Sequence, residues 1–349
     1  VVVPLLVDEE AKPEFRALDD ATAAIGAGLQ PGTLVSYETT MPVSTTRERL
    51  APALAEASGL KPGEEFFLVH SPERVYSGRI FADLRRYPKL VGGIDEESTR
   101  RGVDLYEAIL QFDERHDLSR PNGVWAMASV EAAEFAKLAE TTYRNVNIGL
   151  ANEFAEFAEE NGLDVHEVIE ASNSQPFSAI HQPGIAVGGH CIPVYPKFYL
   201  TNHPEAVLPA ASIHKNESMP RRAVETIRLK MGGTLKGLRV VVLGATYRGG
   251  VRETAFSGAF PLVKELAERG AQPLVHDPLY SDDEVRSMGF EPYRMGDPCD
   301  IAVLQADHDD YRYLGPADLP GIILFYDGRR ASGQEQWPGV QFTQLGVSG

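Results

Sequence analysis

Cys191 follows two glycines and a histidine in the run Pro183-Gly184-Ile185-Ala186-Val187-Gly188-Gly189-His190-Cys191-Ile192-Pro193. A cysteine leaving a glycine-rich turn has backbone N–H groups around it and here an imidazole beside it. Both stabilise a thiolate or a developing oxyanion, so the segment could present a nucleophile. The plainer alternative is a buried structural cysteine. A metal site built from His181, His190 and Cys191 is disfavoured, because the spacing resembles no common zinc motif. A second constellation lies in Val130–Asn161, where Glu134, Lys137, Thr141, Arg144, Asn145 and Ile148 share much of one helical face. Lys137 stands among Ala136, Leu138 and Ala139, so its amine is expected to be partly desolvated and useful as an acid, base or oxyanion partner. The competing reading is a solvated lysine paired with Glu134 or Glu140. Two further candidates end strands: Glu73 and Arg74 in His70-Ser71-Pro72-Glu73-Arg74, and Thr39-Thr40 before Met41-Pro42. Strand ends are where open α/β sheets bind ligands.

The elements that must position these residues fall into three stretches. From Val1 to about Ser129, apolar strands (Val1–Val3, Thr33–Glu38, Phe66–His70, Lys89–Gly92, Val124–Ala128) alternate with helices (Phe15–Leu29, Thr45–Ser58, Glu96–Leu110), which predicts a parallel sheet covered on both faces. Val130–Asn161 contains no proline, and Phe135, Leu138, Val146, Leu150, Phe154 and Phe157 recur mostly at three, four or seven. That predicts one long helix ending at Gly162, then a shorter one at Val165–Ala171, a Gly/Pro-rich loop at Gln182–Pro196 and further helix around Pro220–Lys230. From Leu238 the α/β rhythm returns: strands Leu238–Gly244, Gln272–His276, Asp300–Gln305 and Gly321–Tyr326, with helices Phe260–Arg269 and Asp282–Met288, predict a second parallel sheet. The expected fold is therefore α/β, two Rossmann-like parallel-sheet domains joined by a long central helix and a helical dimerisation region. The expected domains are 1–129, 130–231 and 232–349. A helix so apolar on more than one side predicts a homodimer through 130–161.

Composition narrows the function. Lys plus Arg number 33 against 50 Asp plus Glu, a net charge of −17, which opposes binding to nucleic acid or an anionic membrane surface. Apolar runs such as Leu238–Ala245 are far shorter than the roughly 18 residues of a spanning helix, so a cytoplasmic protein without membrane insertion is expected. Cys191 and Cys299 are too few for a disulfide framework or a thiolate metal site, and no metal is expected. The glycines at and after the end of the strand Leu238–Gly244 (Gly244, Gly249, Gly250) do not spell G-x-G-x-x-G, so this domain is not expected to be the primary dinucleotide site.

Taken in order, six motifs resemble the UDP-glucose/GDP-mannose dehydrogenase family over essentially the whole chain. They are Glu38-Thr39-Thr40-Met41-Pro42-Val43, Ser71-Pro72-Glu73-Arg74, Glu134 to Asn152 with Lys137 and Tyr143-Arg144-Asn145-Val146-Asn147-Ile148, Gly188-Gly189-His190-Cys191-Ile192-Pro193, Tyr247-Arg248 with Arg252-Glu253, and Asp327-Gly328-Arg329. The glycine-His-Cys-Ile-Pro form looks like the branch acting on UDP-N-acetylhexosamines; UDP-glucose enzymes usually carry Lys-Asp soon after the cysteine, where this chain has Val194 and Tyr195.

The resemblance implies an NAD-dependent four-electron oxidation of a nucleotide sugar at C6, through a thiohemiacetal and a thioester on Cys191. It implies that Lys137 stabilises oxyanions, with Thr141 one turn on, and that Glu73 and Thr40 orient the base and water of hydrolysis. Thr39, Thr40, Glu73 and Arg252 would face the cofactor. Arg74, Val75, Lys137, Gly188, Gly189, Tyr247, Arg248 and Arg329 would hold the nucleotide sugar. It also implies that the family's first strand, its G-x-G-x-x-G turn and its ribose-reading acid precede Val1. Three positions depart from the family pattern: Thr141 replaces an asparagine, Tyr195 an aspartate and Phe177 an arginine that reaches a neighbouring subunit's substrate in relatives. Alternatives are a UDP-glucose or GDP-mannose 6-dehydrogenase, a β-hydroxyacid dehydrogenase, disfavoured by the C-terminal domain, and a catalytically weakened nucleotide-sugar-binding protein.

Overall fold

Buried apolar strands and amphipathic helices sort the chain into two compact units, Val1–Thr142 with Val194–Ala206, and Tyr143–Pro193 with Val207 onward. The computed structural model describes residues 1–8, 10–76 and 78–348.

In the first unit a small antiparallel pair, β1 (Leu6–Val7) and β2 (Pro13–Glu14), precedes α1 (Arg16–Gly28) and β3 (Leu34–Tyr37). A widened turn at Thr46–Leu50 leads into α2 (Ala51–Ser58), followed by β4 (Phe67–His70), α3 (Ile80–Arg86), β5 (Lys89–Gly93), α4 (Glu96–Ile109) and β6 (Val124–Ala126). The sheet order is β3-β4-β5-β6. Pairs β3–β4 and β5–β6 are parallel as expected, but β4–β5 is antiparallel, with His70 opposite Gly92. The reason lies in α3, unforeseen from the sequence, which leaves Ile80 and Phe81 in solvent; the connection turns back instead of crossing a sheet face. Val1–Val3 forms no strand. Instead Val1 brackets Tyr37, donating to Ser36 O at 2.5 Å and accepting from Glu38 N at 3.0 Å. The core gathers Leu18, Tyr37, Met41, Leu54, Phe66, Leu68, Leu138 and Phe198.

α5 (Val130–Asn161) has the predicted bounds and supplies residues to both units, as does α7 (Cys191–Asn202). In the second unit follow α6 (Val165–Asn173), α8 (Val207–Lys230), β7 (Arg239–Leu243), α9 (Ala259–Glu268), β8 (Gln272–His276), α10 (Asp282–Ser287), β9 (Ile301–Leu304), β10 (Leu324–Asp327) and β11 (Gln341–Gln344). The five strands run parallel in the order β11-β10-β9-β7-β8. The strand order reverses between β7 and β9, and the crevice beyond their C-terminal ends is a switch point for ligand binding.

The expected loop Gln182–Pro196 ends early, because α7 starts at Cys191. Pro193 lies in the first turn, where its missing N–H costs nothing. Pro196 leaves Ile192 O without its helical donor, and Asn145 Nδ2 supplies one at 3.2 Å. α8 likewise begins thirteen residues before Pro220, at Val207.

His70 closes β4 fully buried, and neither ring nitrogen has a hydrogen-bond partner among the described residues. Burial, helped by the Lys89 ammonium, pulls its pKa down to about 3. The unfolded chain takes up this proton near pH 6.5 and the folded one only near 3, so stability falls as pH drops through that window. His70→Phe is therefore expected to lose less stability than wild type between pH 7 and 4, read as the difference in Tm; parallel curves would refute it.

Candidate active site

Beyond the C-terminal ends of β3 and β4 the first unit places Glu38, Thr39, Thr40 and Glu73, and the two carboxylates face the buried Lys89. The ammonium lies 2.6 Å from Glu38 Oε2 and 4.0 Å from Glu73 Oε2. Tyr106 OH donates to Glu38 Oε1 at 2.7 Å. Glu73 Oε1 caps two backbone donors, Arg74 N at 2.5 Å and Val75 N at 2.7 Å, which fixes the carboxylate. Thr40 is buried, whereas the Thr39 hydroxyl is spent on Val3, donating to its carbonyl at 2.6 Å. Arg74 pairs with Glu140 at 2.8 Å and reaches Pro88 O at 3.3 Å.

Those contacts exclude the solvated ion pair for Lys137. Glu140 belongs to Arg74, and Glu134 accepts from Ser44 N, Thr46 N and Thr46 Oγ1 at 2.7, 2.8 and 2.6 Å. Both carboxylates expected of a solvated ion pair are committed elsewhere, and Lys137 is only 5% exposed. It makes no ion pair among the described residues; its Nζ sits 5.9 Å from the Tyr195 ring centre. A buried ammonium without an anion is costly, and the cost is relieved when a ligand brings negative charge. Thr141, one turn on, donates its hydroxyl proton to Lys137 O at 2.9 Å and Leu138 O at 3.2 Å, leaving only lone pairs for a substrate.

The second unit seats the cysteine. Gly184 N donates to Asn152 Oδ1 at 3.0 Å, and Gly189 N to Ala255 O at 2.9 Å. A Cβ on Gly188 would stand 2.5 Å from Tyr247 Cβ, and Gly189 has φ +77°, so the close approach and the turn both demand glycine. The chain then enters α7, with half-buried Cys191 as its first residue, where helix N–H groups and dipole favour an anion. His190 turns toward Glu253, Nδ1 to Oε1 3.0 Å, and against the Phe256 ring.

Around the β7/β9 switch point stand Tyr247, Arg248 and Arg329. Tyr247 OH accepts from Arg248 Nε at 3.2 Å. Arg329, expected to grip substrate, also braces this loop: Nη2 donates to Tyr247 O at 3.1 Å and Gln305 Oε1 at 3.0 Å, and Nε to Gln305 O. Arg252 pairs with Glu284 and lies 4.7 Å from the Tyr280 ring centre. Phe177 is 94% exposed. Asn152, Gln305, Asp277 and His308 were not singled out from sequence, although the last three follow strand ends, a position that could have flagged them.

Three models of one family match in chain order: its NAD binding domain over 1–110, central domain over 131–219 and UDP binding domain over 241–332. The chain belongs to the UDP-glucose/GDP-mannose dehydrogenase family. It is an NAD-dependent nucleotide-sugar dehydrogenase. It is 31% identical to UDP-N-acetyl-D-mannosamine dehydrogenase of Methanocaldococcus jannaschii, over 95% of this chain and 74% of that protein. UDP-N-acetyl-D-glucosamine 6-dehydrogenase of Pseudomonas aeruginosa is also 31% identical, over 91% and 75%. The structure of UDP-D-ManNAc dehydrogenase from Pyrococcus horikoshii superposes with a TM-score of 0.84 at 30% identity, covering 98% of this chain and 79% of that one. Among the described residues no helix is long and apolar enough to cross a membrane.

The described residues fit a dinucleotide at the strand ends. Buried Thr40 after β3, and Glu73 after β4 with its fixed carboxylate, stand where such sheets bind ligands. No G-x-G-x-x-G turn occurs among the 349 residues to grip the pyrophosphate.

Proposed function

We propose that this dehydrogenase oxidises the C6 alcohol of a UDP-N-acetylhexosamine to the uronic acid in two stages at Cys191. The observation that carries the reading is the seat of that cysteine, held at a helix N-terminus by a two-glycine turn packed on Tyr247. Val194 and Tyr195 in place of a Lys-Asp pair, together with the substrates named for the relatives above, favour the N-acetylhexosamine.

When bound, NAD supplies the oxidant, two molecules each accepting one hydride from C6. Lys137 stabilises the alkoxide formed as the hydroxyl proton leaves. The Cys191 thiolate adds to the aldehyde carbon, forming a C–S bond and a thiohemiacetal, which loss of the second hydride converts to a thioester. Glu73 and Thr40 orient the water that cleaves the C–S bond, releasing carboxylate and thiol, while Lys137 again offsets the tetrahedral oxyanion. Thr141 acts only as an acceptor. Arg74, Val75, Gly188, Gly189, Tyr247 and Arg248 hold the nucleotide sugar, and Arg329 serves it by bracing Tyr247. Thr39 lines the cofactor side through its backbone, and Arg252 completes it. On this reading residues 1–129 belong to the NAD-binding domain, 130–231 to a central helical domain and 232–349 to the UDP-sugar domain.

Turnover against UDP-N-acetylglucosamine, UDP-N-acetylmannosamine, UDP-glucose and GDP-mannose tests the choice of sugar. The reading expects an N-acetylated sugar to give the highest kcat/KM; preference for UDP-glucose or GDP-mannose would overturn it.

The same reading includes a homodimer. α5 exposes Tyr143, Leu150, Phe154 and Phe157, a stripe at intervals of seven, four and three that water alone would cover in a monomer. Light scattering at micromolar concentration is expected to give twice the chain mass, and Phe154→Glu with Phe157→Glu the single mass. A stable wild-type monomer would contradict it.

A further inference from the structure

The turn Gly244–Gly250 carries Tyr247 and Arg248 beyond β7, and buried side chains hold its backbone from beneath. Asp277, which follows β8, accepts through Oδ2 from Ala245 N at 2.8 Å, Thr246 N at 3.0 Å and Thr246 Oγ1 at 3.1 Å. His308, beyond β9 and equally buried, places Nε2 2.7 Å from Thr246 Oγ1 and 3.2 Å from Asp277 Oδ2. Its Nδ1 accepts from Gly250 N at 3.3 Å. A nitrogen that accepts an N–H carries no proton, so the ring proton sits on Nε2, facing the carboxylate. Burial alone would raise the Asp277 pKa, but hydrogen bonds from His308, Leu279 N and Thr246 N outweigh it and keep the group anionic. Gln305 Nε2 completes the underside, donating to Gly244 O at 3.0 Å and Thr246 O at 2.8 Å.

We propose that the buried His308–Asp277 pair is a positioning device for nucleotide-sugar recognition. It fixes the Gly244–Gly250 turn so that Tyr247 and Arg248 meet a nucleoside diphosphate, and through Tyr247 it sets the Gly188–Gly189 turn that leads to Cys191. This rests on the reading of the turn as part of the nucleotide-sugar site. A turn whose outer side must receive a ligand has to be anchored from its inner side, and His308 and Asp277 share that work with Arg329, which donates to Tyr247 O, Ser257, which donates to Thr246 O at 3.1 Å, and Asp307, which accepts from Gly249 N at 3.0 Å. The pair acts through Thr246, Gly250 and the Asp277-capped amides.

The test measures UDP binding by calorimetry, KM for the nucleotide sugar and for NAD, and Tm, on wild type, His308→Leu, His308→Gln and Thr246→Val in the full chain. His308→Leu is expected to weaken UDP binding about tenfold or more and to raise KM for the sugar by the same factor, leaving KM for NAD unchanged. His308→Gln, whose amide nitrogen reaches the Nε2 position, recovers most of the loss. Thr246→Val, which removes one hydroxyl at constant volume, shifts UDP binding in the same direction and carries the test if His308→Leu does not fold. Wild-type UDP affinity in both His308→Leu and Thr246→Val, or equal rises in both KM values that track lost Tm, would overturn the proposal while leaving the site reading intact. Wild-type protein that binds no UDP would overturn the site reading, and this proposal with it.

Discussion

Cys191→Ser is expected to fold as wild type does and to release no uronate. An alkoxide forms far less readily than a thiolate at neutral pH, and a serine ester, once formed, resists hydrolysis more than a thioester does. The side chain is half-buried at the start of α7, and oxygen is smaller than sulfur, so serine enters without a clash. Loss of turnover with an unchanged Tm therefore separates chemistry from packing. Cys299→Ser is the matched control. That thiol is buried at the entry to β9, 4.0 Å from Tyr293 OH, and burial pushes its pKa up, so it is inert and its replacement should leave turnover nearly unchanged. Normal uronate formation by Cys191→Ser would remove the cysteine from the mechanism.

The second large effect belongs to Lys137. A surface lysine replaced by alanine would change stability by a few tenths of a kcal/mol and activity hardly at all. This ammonium is buried and makes no ion pair among the described residues, so its charge is available to one that develops on the substrate. Lys137→Ala should therefore cost on the order of 10²–10³ in turnover, comparable to removing one oxyanion donor. Affinity for the UDP-sugar should move much less, because the alkoxide and tetrahedral oxyanions exist only along the reaction. A variant keeping more than about a third of wild-type turnover, far outside that range, would move the weight to Glu73, Thr40 and an ordered water.

The contrast between these residues shows what could be read from the chain itself. α5 was legible to the residue because a proline-free run with apolar residues recurring at helical spacing has no competing local structure. The glycine turn before Cys191 was legible too, since paired glycines mark backbone conformations that other residues avoid. The start of α7 was not. Pro193 and Pro196 read as loop signals, and only the distant Asn145 amide, satisfying Ile192 O, makes the helix tolerable. The partial desolvation of Lys137 was legible from Ala136, Leu138 and Ala139, but its lack of an ion pair was not, because that depends on Thr46 and Arg74 having claimed Glu134 and Glu140, contacts spanning 88 and 66 residues. Likewise the sequence marks Arg329 as a phosphate ligand by type, but it does not show that Nε and Nη2 of its guanidinium hold Gln305 and Tyr247. Nor does any local pattern reveal that β4 and β5 run antiparallel, since strand direction is set by pairing between residues more than twenty positions apart.

The central claim is that one site carries both oxidations. Cofactor reduced per uronate released, measured with the full chain on a UDP-N-acetylhexosamine, tests it most directly. The account predicts two equivalents of NADH for each carboxylate formed, with no free aldehyde trapped by hydroxylamine during turnover. One equivalent with an aldehyde as the product, or binding of the sugar with no reduction at all, would contradict it.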